Sequence, residues 1–260
     1  MASPPNLFDL NLRAARRDRA SRTGPVLFLH ERAFEDILER LRDVSRRFES
    51  ALMIGVPDKG WPQRLGSVAG TVIAADPGER FARSANGVQL AEDALDFQPS
   101  SFDLAVAIGT LDTVNDLPQA LLRLRFALKP DSLLIGAMSG GNSLPRLRQA
   151  MRAADAVAGT ASPHVHPRVE PAALAHLLSS AGFVMPVVDV DRVSVAYPSL
   201  KGLVDDLRGM AATNILSGRS KAPLGRAAFR AAQHDFRPDK ADPTTETFEI
   251  LHFAAWTPAD

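Results

Sequence analysis

Ala51-Leu52-Met53-Ile54 followed by Gly55-Val56-Pro57-Asp58-Lys59-Gly60, and Thr71-Val72-Ile73-Ala74-Ala75 ending on Asp76, frame the stretch that decides the fold. Between them Trp61 to Gly70 forms an amphipathic link. The order reads as strand, glycine- and proline-bearing loop, helix, strand, acid. In an open α/β sheet, ligands sit outside the carboxyl ends of the strands. The first loop passes beneath them, and an acid after the second strand takes hydroxyl groups. The stretch therefore predicts a ligand crevice between Gly55 and Asp76.

The flanking sequence extends the same alternation. From Glu31 to Phe48, Phe34, Ile37, Leu38, Leu41, Val44 and Phe48 recur at three and four, the stripe of an amphipathic helix. Gly87 to Asp93 reads as a third short strand, Phe102 to Ile108 as a fourth and Ser132 to Met138 as a fifth. The fourth is nearly continuously apolar, as a parallel sheet covered on both faces requires. Asn115-Asp116-Leu117-Pro118 supplies a cap and an early proline for a helix with Leu117, Leu121, Leu124 and Leu128 inward. Beyond Gly140, helical stripes fall at Leu144 to Met151, Leu174 to Leu178, Leu200 to Met210 and, more weakly, Ala222 to His234. Val187 to Val190, Val193 to Val195 and Phe248 to Trp256 are β-type. The fold class predicted is α/β, a doubly wound, mostly parallel sheet with helices on both faces. No repeat interrupts it, so residues 1–260 are read as a single domain. Residues 1–48 are its N-terminal arm and helix, and 140–215 a helical and loop insertion on the acceptor side.

Lys plus Arg and Asp plus Glu both total 30, which gives general binding to nucleic acid or anionic membrane no support. At 45% hydrophobic residues the chain can bury a normal core. Cysteine is absent, which removes disulfides, thiolate metal sites and cysteine nucleophiles and points to a reducing, cytoplasmic compartment. Met1 to Pro5 lacks a signal-peptide pattern, and no run approaches the roughly 18 apolar residues of a membrane span, so a soluble protein is expected. Residues 6–24 carry Arg13, Arg16, Arg17, Arg19 and Arg22 beside few apolar groups. Such an arm neutralises phosphates or an acidic partner, or, more commonly, is a solvated segment packed by its stems.

The strand-ending loop, Asp76, Glu92-Asp93, Phe102-Asp103-Leu104 and Lys129-Pro130 together resemble the class I S-adenosylmethionine (SAM)-dependent methyltransferases. The resemblance sharpens at Phe8-Asp9, Val114 to Pro118, Gly140 to Leu144 with Leu147-Arg148, and Ser162 to Pro167. It continues at Ala181-Gly182-Phe183, Tyr197-Pro198 and Asp206 to Met210. These are similar to the mitochondrial complex I assembly factor 5 proteins and their bacterial relatives, cousins of the malonyl-carrier-protein methyltransferases of biotin synthesis. The resemblance implies a seven-stranded sheet with SAM over the first two strand ends. Gly55 would lie beneath it, Asp76 on the ribose, Asp93 and Ala94 at the adenine, and Ile108 along the methionine side. It also implies a protein substrate or a complex I subunit as partner.

The first loop departs from the family pattern. Met53 stands where the family has an acid, and Pro57 replaces its second glycine, removing an N–H and adding bulk. Asp58 is the one carboxylate of the loop placed to pair with the SAM ammonium instead. SAM binding is thus either remodelled or lost, and three functions follow: a SAM-dependent enzyme acting on a protein side chain, a SAM-free assembly partner, or an arginine hydroxylase.

Outside the crevice, His164 and His166 would project to one side of an extended loop, as two ligands of a non-haem iron site or, preferably, as part of a polar acceptor loop. No metal site is expected. Tyr197, the lone tyrosine, either orients an acceptor and relays a proton or caps a surface. Arg208 either meets an acidic substrate group or pairs with Asp205. Trp61 and Trp256 read as core or rim aromatics.

Overall fold

The structure, a computed structural model, describes residues 6–237 and 242–259, so Met1 to Pro5 lie outside it. Asp9 starts α1 (Leu10–Thr23), its carboxylate accepting the Leu12 N–H at 2.9 Å, one of the amides a helix start leaves unpartnered. The buried positions of α1 are Arg13, Arg17 and Ala20. The inward stripe thus has helical spacing but is written largely in charge, and the basic segment is no solvated arm. α2 (Phe28–Asp43) buries Leu29, Ala33, Phe34, Ile37, Leu38 and Leu41. It ends earlier than the sequence pattern suggests because Phe48 opens β1 (Phe48–Ile54).

The alternation then runs α3 (Trp61–Leu65), β2 (Ala69–Asp76), α4 (Glu79–Ser84), β3 (Val88–Gln89), β4 (Phe102–Ile108), α5 (Leu117–Ala127) and β5 (Leu128–Ser139). Asp116 caps α5 by accepting the Gln119 N–H, with Pro118 in its first turn. The third strand is shorter than predicted, because Glu92–Ala94 curl into a 3-10 turn. There follow α6 (Pro145–Ala158), α7 (Pro171–Ser180), β6 (Val184–Tyr197), α8 (Leu200–Gly209), α9 (Arg226–Phe236) and β7 (Thr244–Trp256). The two β-type runs around Val190 are one continuous strand, β6.

Seven strands form one sheet in the order β3-β2-β1-β4-β5-β7-β6. The first five pair in parallel, and β7 runs antiparallel to both its neighbours. Ala51 and Met53 of β1 enter one apolar cluster and Leu52 and Ile54 another, so helices cover both faces of the sheet. β2 follows β1 on one side and β4 lies on the other, which puts a topological switch point at the carboxyl ends of β1 and β4.

Candidate functional site

At the end of β1 the chain turns through Gly55 with φ +84°. A Cβ there would stand 2.1 Å from the Ile108 carbonyl oxygen, so only glycine fits the close approach of β1 to β4. The next amide, Val56 N–H, donates to Asp76 at 2.9 Å, and Pro57 has no N–H to offer. The loop is thus folded onto the acid that ends β2.

Asp76 is fully buried and its oxygens are all engaged. One accepts from Arg17 Nε at 2.6 Å and Gly78 N–H at 2.7 Å, the other from Arg17 Nη2 at 2.6 Å and Val56 N–H. Burial opposes the charge on Arg17, and the Asp76 carboxylate outweighs it, raising the guanidinium pKa. One helical turn earlier, Arg13 donates to both oxygens of buried Glu92 at 2.7 Å and to the Thr110 carbonyl at 2.6 Å. Two forked pairs spaced i, i+4 on α1 therefore close the crevice over β1, β2 and β4. The fit is tight: a Cβ on Gly78 would meet the Arg17 Cβ at 2.6 Å, and Asp18 accepts the Arg80 N–H at 2.8 Å. Arg17 also lies 5.4 Å from the centre of the Phe81 ring.

Beside the crevice, past the ends of β4 and β5, is a cavity of about 110 Å³. Ile108, Met138, Leu144, Met210 and Phe248 give it apolar walls, and Arg13 and Arg17 reach it from the crevice side. Asp112 and Arg168 form a buried ion pair in its wall, and Glu249 borders it. Among the described residues, Arg168 Nε and His30 Nδ1 are buried without a hydrogen-bond partner. His166 Nε2 accepts the Ile215 N–H at 3.0 Å. Burial, helped by Arg17 at His30 and by Arg168 at His166, lowers both imidazoles to about 4, so they are neutral at physiological pH. The N-terminal arm ties this region together, since Phe8 exchanges two hydrogen bonds with the Asn115 side chain and Asp9 N–H donates to the Ile215 carbonyl.

The residues singled out from sequence fall in different places. Gly55, Asp76 and Ile108 converge on the crevice. Glu92 turns inward while Asp93 is only partly buried and Ala94 is exposed, so the inward acid lies one position before the expected one. Asp58 accepts the Gly60 N–H at 2.6 Å in the turn that leads into α3. Tyr197 is buried, its hydroxyl donating to Asp206 at 2.9 Å, and burial and that carboxylate raise its pKa. His164 pairs with Asp155 at 2.8 Å, away from His166. Among the described residues no three His, Asp or Glu side chains converge as metal ligands. Trp61 is buried with its Nε1 donating to Glu31, and Arg208 pairs with Asp205. Arg13, Arg17 and Glu92 carry the closure, and no apolar pattern marks them.

An adenosyl group does not fit the crevice as it stands. Both acids placed to meet it are bound by guanidinium groups, and the loop is folded onto Asp76 through the Val56 N–H.

A methyltransferase-domain profile matches residues 28–186. The mitochondrial arginine-hydroxylase NDUFAF5 of Mus musculus is 34% identical over 266 residues, covering 96% of this chain and 77% of that protein. The malonyl-[acyl-carrier protein] O-methyltransferase of Laribacter hongkongensis is 30% identical over 182 residues, 69% of this chain and 59% of that protein. A SAM-dependent methyltransferase of Thermotoga maritima superposes with a TM-score of 0.54 at 17% identity, over 94% of this chain and 99% of that one, a likeness of fold. The chain belongs to the methyltransferase-domain family and, within it, to the branch of the NDUFAF5 proteins.

Proposed function

We propose that this chain modifies an arginine side chain of a partner protein and thereby serves assembly of the respiratory NADH dehydrogenase. One observation carries the reading: the crevice at the switch point adjoins a cavity of side-chain size whose wall holds two carboxylates in guanidinium pairs, Asp112 with Arg168 and Glu249 with Arg192. The cavity of about 110 Å³ is smaller than the roughly 150 Å³ that takes a six-carbon ring, and the four heavy atoms of a guanidinium are of that smaller scale. These carboxylates already accept from guanidinium groups, and in this reading the guest arginine exchanges with Arg168 or Arg192. The name of the relatives, arginine-hydroxylase, supports the same side chain as target. A cytoplasmic site of action goes with this reading, on the cysteine-free composition.

SAM is the cofactor that the fold implies, and in this reading it binds only when α1 withdraws. Opening the two forked pairs would free Asp76 for ribose hydroxyls and Glu92 for the base side. The structure described is then the closed form. The closed crevice and Pro57 also favour a second reading, a SAM-free assembly partner that uses the fold as a binding surface.

Incubating the purified chain with an arginine-bearing partner subunit, SAM and cell extract, followed by mass spectrometry of the subunit, separates the readings. Gain of one oxygen on arginine marks hydroxylation and gain of one methyl group marks methyl transfer. Formation of a stable complex with no mass change marks the assembly partner and overturns the enzyme.

A further inference from the structure

The flank of α1 next to the two forked pairs carries two more arginines in a different state. Arg16 Nε and Arg19 Nη2 are buried and have no hydrogen-bond partner among the described residues. Three other guanidiniums stand close by: Arg22 on α1, Arg208 at the end of α8 and Arg219 in the loop beyond. α1 packs on α8, and Val26 N–H donates to the Gly209 carbonyl at 3.1 Å, which fixes the two helix ends together. Among the described residues, none of the nearby acids pairs with Arg16 or Arg19. Asp18 accepts the Arg80 N–H, Asp205 pairs with Lys201 and Arg208, and Asp9 caps α1 while standing 3.7 Å from Arg219. Burial and the fields of Arg19, Arg219 and Arg208 hold the Arg16 guanidinium below its ordinary pKa. Arg19 is lowered likewise by burial, Arg208 and Arg22.

In a chain with no net charge, this flank gathers five arginines, of which Arg208 and Arg219 have a carboxylate beside them, while Arg16 and Arg19 form no ion pair among the described residues. Buried donors left unpaired are costly, and native proteins leave few of them. We propose that the α1–α8 flank is an oxyanion site that takes a phosphoryl group, gripped by Arg16 and Arg19 with Arg208 and Arg219 around it. A tetrahedral dianion presents oxygens to several forks at once, whereas a single carboxylate satisfies one. The site stands apart from the arginine reading above and does not depend on it. Inorganic phosphate and a phosphate ester offer the same oxygens, so both are probes.

The test is isothermal titration of the full chain with inorganic phosphate, pyrophosphate and glycerol phosphate, at an ionic strength held constant with chloride. Saturable binding is expected, and the ester binding more tightly than inorganic phosphate would identify a phosphorylated small molecule as the source. Arg16→Gln/Arg19→Gln should weaken binding roughly tenfold to a hundredfold, the loss of two charge-assisted contacts. Its melting temperature without phosphate should equal or exceed that of the parent, because the variant relieves repulsion and breaks no pair; this separates lost binding from lost folding. Heat no greater than that of matched chloride, or equal affinity in the variant, would overturn the site. So would tight binding of a glutamate-rich peptide where phosphates fail.

Discussion

Two flanks of one helix, built from the same residue type, behave oppositely. Arg13 and Arg17 enter the crevice and each finds a buried carboxylate; Arg16 and Arg19, on the adjoining flank, meet other arginines. The first flank welds α1 to the sheet. The second leaves it charged and unfinished, ready to respond to something outside the chain. Identical chemistry is structural in one case and receptive in the other because of what the neighbouring strand ends and helices supply. The contrast also sets which substitutions should harm the fold and which should leave it intact.

The sharpest way to break the comparison is at the paired flank. Asp76→Asn leaves Arg17 buried without its counter-charge, so unfolding by denaturant should show a loss of about 3–5 kcal/mol, the usual result of removing one member of a buried pair. A loss below about 1 kcal/mol would mean that the pair is solvated in solution.

Acid probes the same region next. The folded-state pKa of both His30 and His166 lies at about 4, below the unfolded value near 6.5. A depressed histidine favours the neutral form in the fold. Its contribution is therefore complete above the unfolded value and is lost as pH falls from about 6.5 towards 4. Stability measured across that window should drop by about 3 kcal/mol for each histidine, about 6 kcal/mol together, and His166→Asn should roughly halve the drop. A profile unchanged in the variant would remove His166 from the account.

The smallest expected effect has the opposite sign. Arg16→Gln or Arg19→Gln should raise stability by a few tenths, up to about 0.5 kcal/mol, through relief of like-charge repulsion, and the gain should shrink with added salt. Destabilisation by either change would show that the second flank is paired after all.

Most of the sheet was legible because β1, β4 and β5 are apolar runs, and Asp76 was legible because an acid ending the second strand is a positional signal. α1 was not. Its buried stripe is Arg13, Arg17 and Ala20, so a search for apolar periodicity passes over it, and the spacing of the two arginines gains meaning only with Asp76 and Glu92 opposite. Glu92 and Asp93 illustrate the same limit at the scale of one residue. Both are acids at the end of a short strand, and only the 3-10 turn decides which side chain goes inward. Asp58 looked available as the loop's carboxylate, yet its nearest use is local, the turn that starts α3.

The claim on which the rest stands is that Arg13 and Arg17 shut the adenosyl crevice. Titration of SAM and of its demethylated product into the parent and into Arg13→Gln/Arg17→Gln, with folding checked by circular dichroism, tests it directly. The account predicts weak or undetectable binding to the parent and at least about tenfold tighter binding to the variant, since the ligand no longer has to displace the two forks. Tight binding to the parent with no gain in the folded variant would contradict it.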